Sequence, residues 1–498
     1  MNVNPITRLD YPDPDVIRVE DTYYMVSTTM HFMPGCEILQ SFDLVHWEHV
    51  TYVYETLDHT DAQQLKSGQN IYGQGMWAAS LRYHEGRFYI CFVANDTRKT
   101  YLYTSEKIDG PWKKQLIEGF YHDGSLLFDE DGRNYIVYGN DEIWITELNE
   151  DLTAPKKDGL HRLLVSDHKN PELGYEGSHI QKINGYYYIF LVHSLRDRWM
   201  RTEACFYSDS LEGEFTGGDV LCDDRGYCGQ GVAQGGIVDT PDGKWYAMLF
   251  QDFGAVGRLP ILLPVTWKDH FPFFGQNGHV PEEIEVHSTR PGYIYQPLVG
   301  SDDFCNGLLP RWQFNHDPDP RYYHLDALQG TYTITTREVC TELTQAVNTL
   351  TQRMSYPSCA AEVTVDASAL KEGDVAGLCA LQSCYAAVGI TKHHGKYEVL
   401  MLDKKEDGIL DMTEGTVVES HQMDFRLEAD FCNMKDEARC YYRVNKGDWL
   451  PIGTVHKLYF KLDHFTGCRF GLFCYAAEET GGSACFRDFK YYDVDEIS

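Results

Sequence analysis

The stretch YHDGSLLFDEDGRNYIVYG, residues 121–139, contains a short loop with Asp and Gly, then an aromatic residue, then alternating apolar positions, which is a strand signature. The same phrase recurs as DTYYMVS (21–27), GRFYICF (86–92), GRNYIVY (132–138), GYYYIFL (185–191) and GKWYAML (243–249), five copies in all. With Tyr24, Tyr89, Tyr135, Tyr188 and Tyr246 as anchors, the separations are 65, 46, 53 and 58 residues. Each interval holds about four short strands with their loops, the size of one propeller blade. Several units close on a related phrase, SFDLVHW (41–47), SEKIDGPW (105–112) and SDSLEGEF (208–215), read as an outer strand. Alternating strands could also build a sandwich or a β-helix, but blade-length units without long helical periodicity favour five four-stranded blades around a channel.

The signature stops near residue 300, after GRLPILLPVTW and the Pro-rich HFPFFGQNGHVPEE. Beyond it come short alternating strands such as TYTITT, AAEVTV, YEVLML, ARCYYRV, KLYFKL and RFGLFCY, joined by Gly, Asp and Asn turns. The expected fold is therefore all-β: a five-bladed β-propeller over residues 1–298, then a jelly-roll-like β-sandwich over 299–498. At 498 residues and 43% hydrophobic, the chain is long enough for two such cores.

In a propeller the innermost strand of each blade lines the axial channel, so one position per blade faces whatever binds there. Twelve residues before the anchor Tyr stand Trp77, Asp123, Glu176 and Gln234 in the last four copies; in the first, Asp13 is eleven before. Three acids thus share one ring, and paired carboxylates across a sugar are the equipment of glycoside hydrolysis. Pro12 and Pro14 restrain Asp13 on both sides, while Asp10 and Asp15 read as ordinary turn acids. Asp123 suits a role in raising the pKa of Glu176. Trp77 would offer a stacking platform, and Gln234 a donor to a hydroxyl.

Lys and Arg number 43 against 75 Asp and Glu, a net charge of -32, which repels nucleic acid and anionic lipid and suits a small neutral oligosaccharide. The start MNVNPITRLDYPDP has no basic and apolar leader, and no apolar run spans a bilayer. Fifteen cysteines without CxxC pairs read as reduced thiols, so a cytoplasmic location is expected and no metal site is assigned. Oligomeric state is not legible.

At these residues the chain resembles glycoside hydrolase family 43, over essentially its whole length. YPDPDVIRVEDTYYMVSTT (11–29), GMWAASLRYHEGRFYI (75–90), YHDGSLLFDEDGRNYIVYG and YEGSHIQKINGYYYIF (175–190) resemble four blade motifs in order. DDFCNGLLPRWQFNHDPD (302–319) and AVNTLTQR (346–353) resemble the accessory sandwich of its xylosidase and arabinofuranosidase branches. The resemblance implies an inverting, exo-acting enzyme that releases terminal arabinofuranose or xylose from arabinoxylo-oligosaccharides. It implies Asp13 as general base, Asp123 as the acid that modulates pKa, and Glu176 as general acid. It further implies Phe32, in HFMPG, as a pocket aromatic and Arg258, in GRLPILLPV, as a binder of substrate hydroxyls. Related enzymes often carry His where this chain has Gln234; no cofactor is required, and a structural calcium ion is left open. The rival readings are a retaining fructan or sucrose hydrolase, whose NDPNG and RDP phrases are missing, and a non-catalytic carbohydrate-binding propeller. The sandwich segment 476–486, AAEETGGSACF, is expected to reach over the channel mouth.

Overall fold

The computed structural model describes residues 3–413 and 415–493; the outer limits set for the two domains, residues 1–2 and 494–498, lie outside the described residues. The described chain is strand throughout, with helix only as four short 3-10 turns, and none of its helices is long and apolar enough to cross a membrane. Five antiparallel four-stranded sheets follow one another, their innermost strands being Asp15–Val19, Met76–His84, Ser125–Phe128, Glu176–Ile183 and Ala233–Asp239. The second strand of every blade carries the anchor tyrosine, as the repeat predicts. The phrases SFDLVHW, SEKIDGPW and SDSLEGEF are not outer strands: they form the turns between third and fourth strands. The Ser41 hydroxyl and the Asp43 carboxylate accept backbone N–H groups there, which is turn chemistry.

The ring closes through the N-terminal segment. Asn4 exchanges two hydrogen bonds with Leu262, at 2.7 and 2.8 Å, while Ile6 and Tyr11 donate to the carbonyls of Pro260 and Arg258 in blade 5. Across the axis, Arg82 of blade 2 bonds to Asp15 of blade 1 at 2.7 Å, to the Leu126 carbonyl and Ser125 hydroxyl of blade 3, and to the Ile180 carbonyl of blade 4.

The second domain is a sandwich of a nine-stranded and a seven-stranded sheet. One strand of the larger sheet comes from the propeller: Phe32–Met33 leaves blade 1 and pairs with Gln313–Asn315. Residue 298 falls in a strap that leaves blade 5 after Phe271–Phe274, crosses blade 1 through Thr289 and Tyr293, and enters the sandwich at Asp302. Arg353, in the AVNTLTQR phrase, docks back into the propeller with its guanidinium 2.8 Å from Glu37 and 4.1 Å from the Tyr11 ring.

Between the two domains lie three fully buried imidazoles, His31 from the propeller and His316 and His464 from the sandwich, packed around Tyr72 at ring distances of 4.5–5.0 Å. Burial, with the neighbouring Arg469 guanidinium behind it, pushes His464 down to about 3; burial also holds His31 and His316 far below 6.5. These groups are neutral when folded and protonate in the unfolded chain below about pH 6.5. Stability therefore falls as pH drops from about 6.5 towards 3, by about 1.4 kcal/mol per pH unit for each histidine. Replacing His464 with Phe should flatten the fall in melting temperature between pH 6.5 and 4.5 relative to wild type, measured by scanning calorimetry.

Candidate active site

All five ring positions stand where an innermost strand begins: Asp13 and Asp123 two residues ahead of theirs, Glu176 as the first residue, Trp77 and Gln234 as the second. They share one rim, because the innermost strands run in the same direction around the axis. Three of the five hold left-handed backbone, Asp13 at φ 53°, Asp123 at 49° and Gln234 at 63°, a conformation that non-glycine residues adopt at a cost of about 1–3 kcal/mol and that concentrates at functional sites.

Asp13 is buried and held from two blades. Thr28, in the loop after the second strand of blade 1, donates its hydroxyl at 2.6 Å, and Arg258, which opens the third strand of blade 5, donates its guanidinium at 3.1 Å. Arg258 is itself buried, its backbone N–H donating to Asp10 at 2.8 Å and its guanidinium carbon 4.3 Å from the Phe465 ring. Phe465 belongs to the sandwich, and it also lies 5.5 Å from Trp77. Asp10 accepts a second N–H, from Gly467 at 2.7 Å, and so staples this sandwich loop to the rim. The loop that meets the site is therefore 459–467. The segment 476–486 is not at the site: it contacts Thr336 and Lys371, within the sandwich.

Asp123 accepts the Gly177 N–H at 2.9 Å. Gly177, at φ 65°, leaves room for Gln234, whose Cγ would stand 2.7 Å from a Cβ at that position. The Gln234 N–H donates to Glu203 at 2.7 Å, and burial pushes that carboxyl's pKa well above the usual range. Glu176 is the most open of the three acids and accepts from the Asn140 amide at 2.7 Å.

His122 lies between two acids, its Nε2 3.5 Å from Asp123 and 3.6 Å from Glu176. The Asp123 carboxylate, against the effect of burial and with help from Glu176 and Asp13, raises His122 to about 9. Burial raises Asp123 to about 6; His122 opposes the rise, and the negative charges of Glu176 and Asp13 add to it. His122, Asp123 and Glu176 offer donor atoms within 4.8 Å of one another, a spacing that could hold a cation. An imidazolium donates rather than ligates, however, and calcium prefers an all-oxygen shell.

The structure thus joins Asp13, Asp123, Glu176, Trp77, Gln234 and Arg258 into one connected site. Phe32 is set apart from it: with no accessible surface, its ring lies in the domain interface beneath the Arg469 guanidinium, 3.4 Å away. Sequence reasoning missed His122, Asn140, Thr28, Asp10 and Phe465. His122 was in plain view beside Asp123; the others come from a strand end, from rim loops and from the sandwich.

Carboxylates gathered at one mouth of a propeller channel, with aromatic rings beside them, define a carbohydrate-hydrolysing site. Comparison with known proteins agrees. The model of glycosyl hydrolases family 43 matches residues 3–272, and that of the beta xylosidase C-terminal Concanavalin A-like domain matches 301–492. The chain is 26% identical to a beta-xylosidase of Formosa agariphila, over 99% of this chain and 89% of that one. Among solved structures it superposes on a bifunctional GH43-CE protein of Bacteroides eggerthii with a TM-score of 0.92 and 42% identity, covering 98% of this chain but only 63% of that one. A further match is a GH43 glycoside hydrolase engineered to display both endo-xylanase and exo-arabinofuranosidase activity, with a TM-score of 0.86, 27% identity and 99% of each chain covered. The chain belongs to glycosyl hydrolase family 43. It is an inverting glycoside hydrolase.

Gly177 gives a direct test of the site's construction. A Gly177→Ala substitution meets both the left-handed backbone and the Gln234 side chain, and should destabilise the fold by about 1–3 kcal/mol while disturbing the N–H that holds Asp123. Thermal unfolding should register the first effect and a lowered kcat the second.

Proposed function

We propose that this enzyme removes terminal arabinofuranose or xylose residues, one at a time, from the non-reducing ends of arabinoxylo-oligosaccharides. The observation that carries the reading is the joining of the acids to a sandwich loop: Phe465 stacks on Arg258, which holds Asp13, and also borders Trp77. A rim walled on one side by a second domain favours attack at chain ends over passage of a polymer. The xylosidase and arabinofuranosidase activities named for the similar proteins support the choice of sugar.

In this reading Asp13 is the general base, oriented by Thr28 and Arg258 towards a water on the face opposite the leaving group. Glu176, the most exposed acid, protonates the leaving oxygen, with Asn140 fixing its carboxyl. Asp123 keeps negative charge near Glu176, and His122 bridges the two and can return a proton to Glu176 between turnovers. Trp77 and Gln234 line the sugar's place, and Arg258 serves the base as well as substrate hydroxyls. The chemistry calls for no cofactor, and the partner is a small oligosaccharide. The fifteen free thiols support a reducing, cytoplasmic setting.

Asp13→Ala and Glu176→Ala should each lower kcat by about 10²-fold or more on natural oligosaccharides. Nitrophenyl glycosides, which need little protonation, should spare the Glu176 variant and not the Asp13 variant. A β-xyloside should yield α-xylose first by NMR; β-xylose would overturn the assignment.

The pH profile follows from the two displaced groups. Activity should decline as Asp123 gains a proton below about pH 6 and as His122 loses its proton above about pH 9. His122→Asn should shift the upper limb of kcat against pH, not remove it, because Glu176 must still carry a proton to act.

A further inference from the structure

Trp199 stands at the same rim as the acids, in the loop between the second and third strands of blade 4, and 43% of its surface is exposed. A single exposed apolar side chain is ordinary, but this one is mounted. The Arg201 guanidinium lies over one of its faces, 5.2 Å from the ring. Arg201 is in turn fixed by an ion pair with Asp252 in which both side chains are largely buried, and by the Phe250 ring at 5.3 Å. Phe250 is wholly buried and packs at 5.4 Å on Arg258, the residue that holds Asp13. The base and the exposed ring are thus two ends of one packed series, with Trp199 at its outer end.

We propose that Trp199 is a sugar-binding platform for a ring of the substrate chain beyond the residue being cleaved. A pentose ring presents an apolar C–H face, and stacking that face on an aromatic ring removes both from water. The guanidinium on the other side keeps the indole from tilting, so little freedom is lost on binding. Arg198, with 60% of its side chain exposed one residue away, supplies donors for the hydroxyls at the ring's edge. The ligand class is a neutral pentosyl residue of the oligosaccharide, and the choice of sugar rests on the pentoside reading above.

The test compares a nitrophenyl pentoside with a tetrasaccharide of the same sugar. In Trp199→Ala the ratio of KM for the tetrasaccharide to KM for the nitrophenyl pentoside should rise about tenfold over wild type. Trp199→Phe, which keeps an aromatic face, should bring the ratio back to within about threefold of wild type. An unchanged ratio in Trp199→Ala, whether both KM values hold or both rise together, would overturn the platform. A wild-type enzyme that cleaves neither probe would instead overturn the pentoside reading, and the same ratio would then be read on the glycoside series it does cleave.

Discussion

The propeller is organised around one buried ion pair on its axis, Asp15 with Arg82. Asp15 is 1% exposed, and burial alone would raise its pKa; Arg82, with His179 at 3.1 Å and the Leu81 N–H at 2.7 Å, holds it instead at about 2. Both charges are therefore kept, and each is fully engaged. The remaining guanidinium donors reach two further blades, so one side chain sets the spacing of four blades at once. Such a pair is weak evidence for net stability, but removing one partner costs about 3–5 kcal/mol, because a charge is then left alone in the interior. It acts as a registry device: a sheet slipped by one residue would leave Asp15 and Arg82 unmatched.

That registry lets the rim be irregular. Left-handed residues, bulges between Trp77 and Ser80, between Glu176 and His179 and between Ala233 and Gly236, and a fully buried Glu203 would each weaken an isolated sheet. Here they aim side chains into the channel while the strands below them pair normally. Strain is concentrated where chemistry takes place, and the axis supplies the rigidity that sustains it.

The sequence conveyed the blades because the repeat is local: an anchor tyrosine and its hairpin lie within about twenty residues. The ring position was legible for the same reason, since counting back from Tyr135 or Tyr188 stays inside one hairpin. Contacts of long sequence separation were not legible. Phe465 meets Arg258 only after the sandwich docks. Phe32 was misplaced because a two-residue strand that leaves its blade for another sheet has no periodicity of its own. Asp10 and Asp15 looked like turn acids because nothing in their neighbourhood announces Arg82 or Gly467.

The bond from Gly467 to Asp10 spans 457 residues, nearly the full chain. Gly467 has no side chain to obstruct it; a Cβ there would stand 2.7 Å from that of Asp10. On a ribosome, where the N-terminal part of a chain folds first, Asp10 has only the Arg258 N–H until residue 467 has emerged. The wall that Phe465 makes beside Arg258 then forms only once the sandwich has folded. Selectivity in this sense depends on the second domain: a chain cut before residue 459 would keep its acids but not the enclosure that makes them selective.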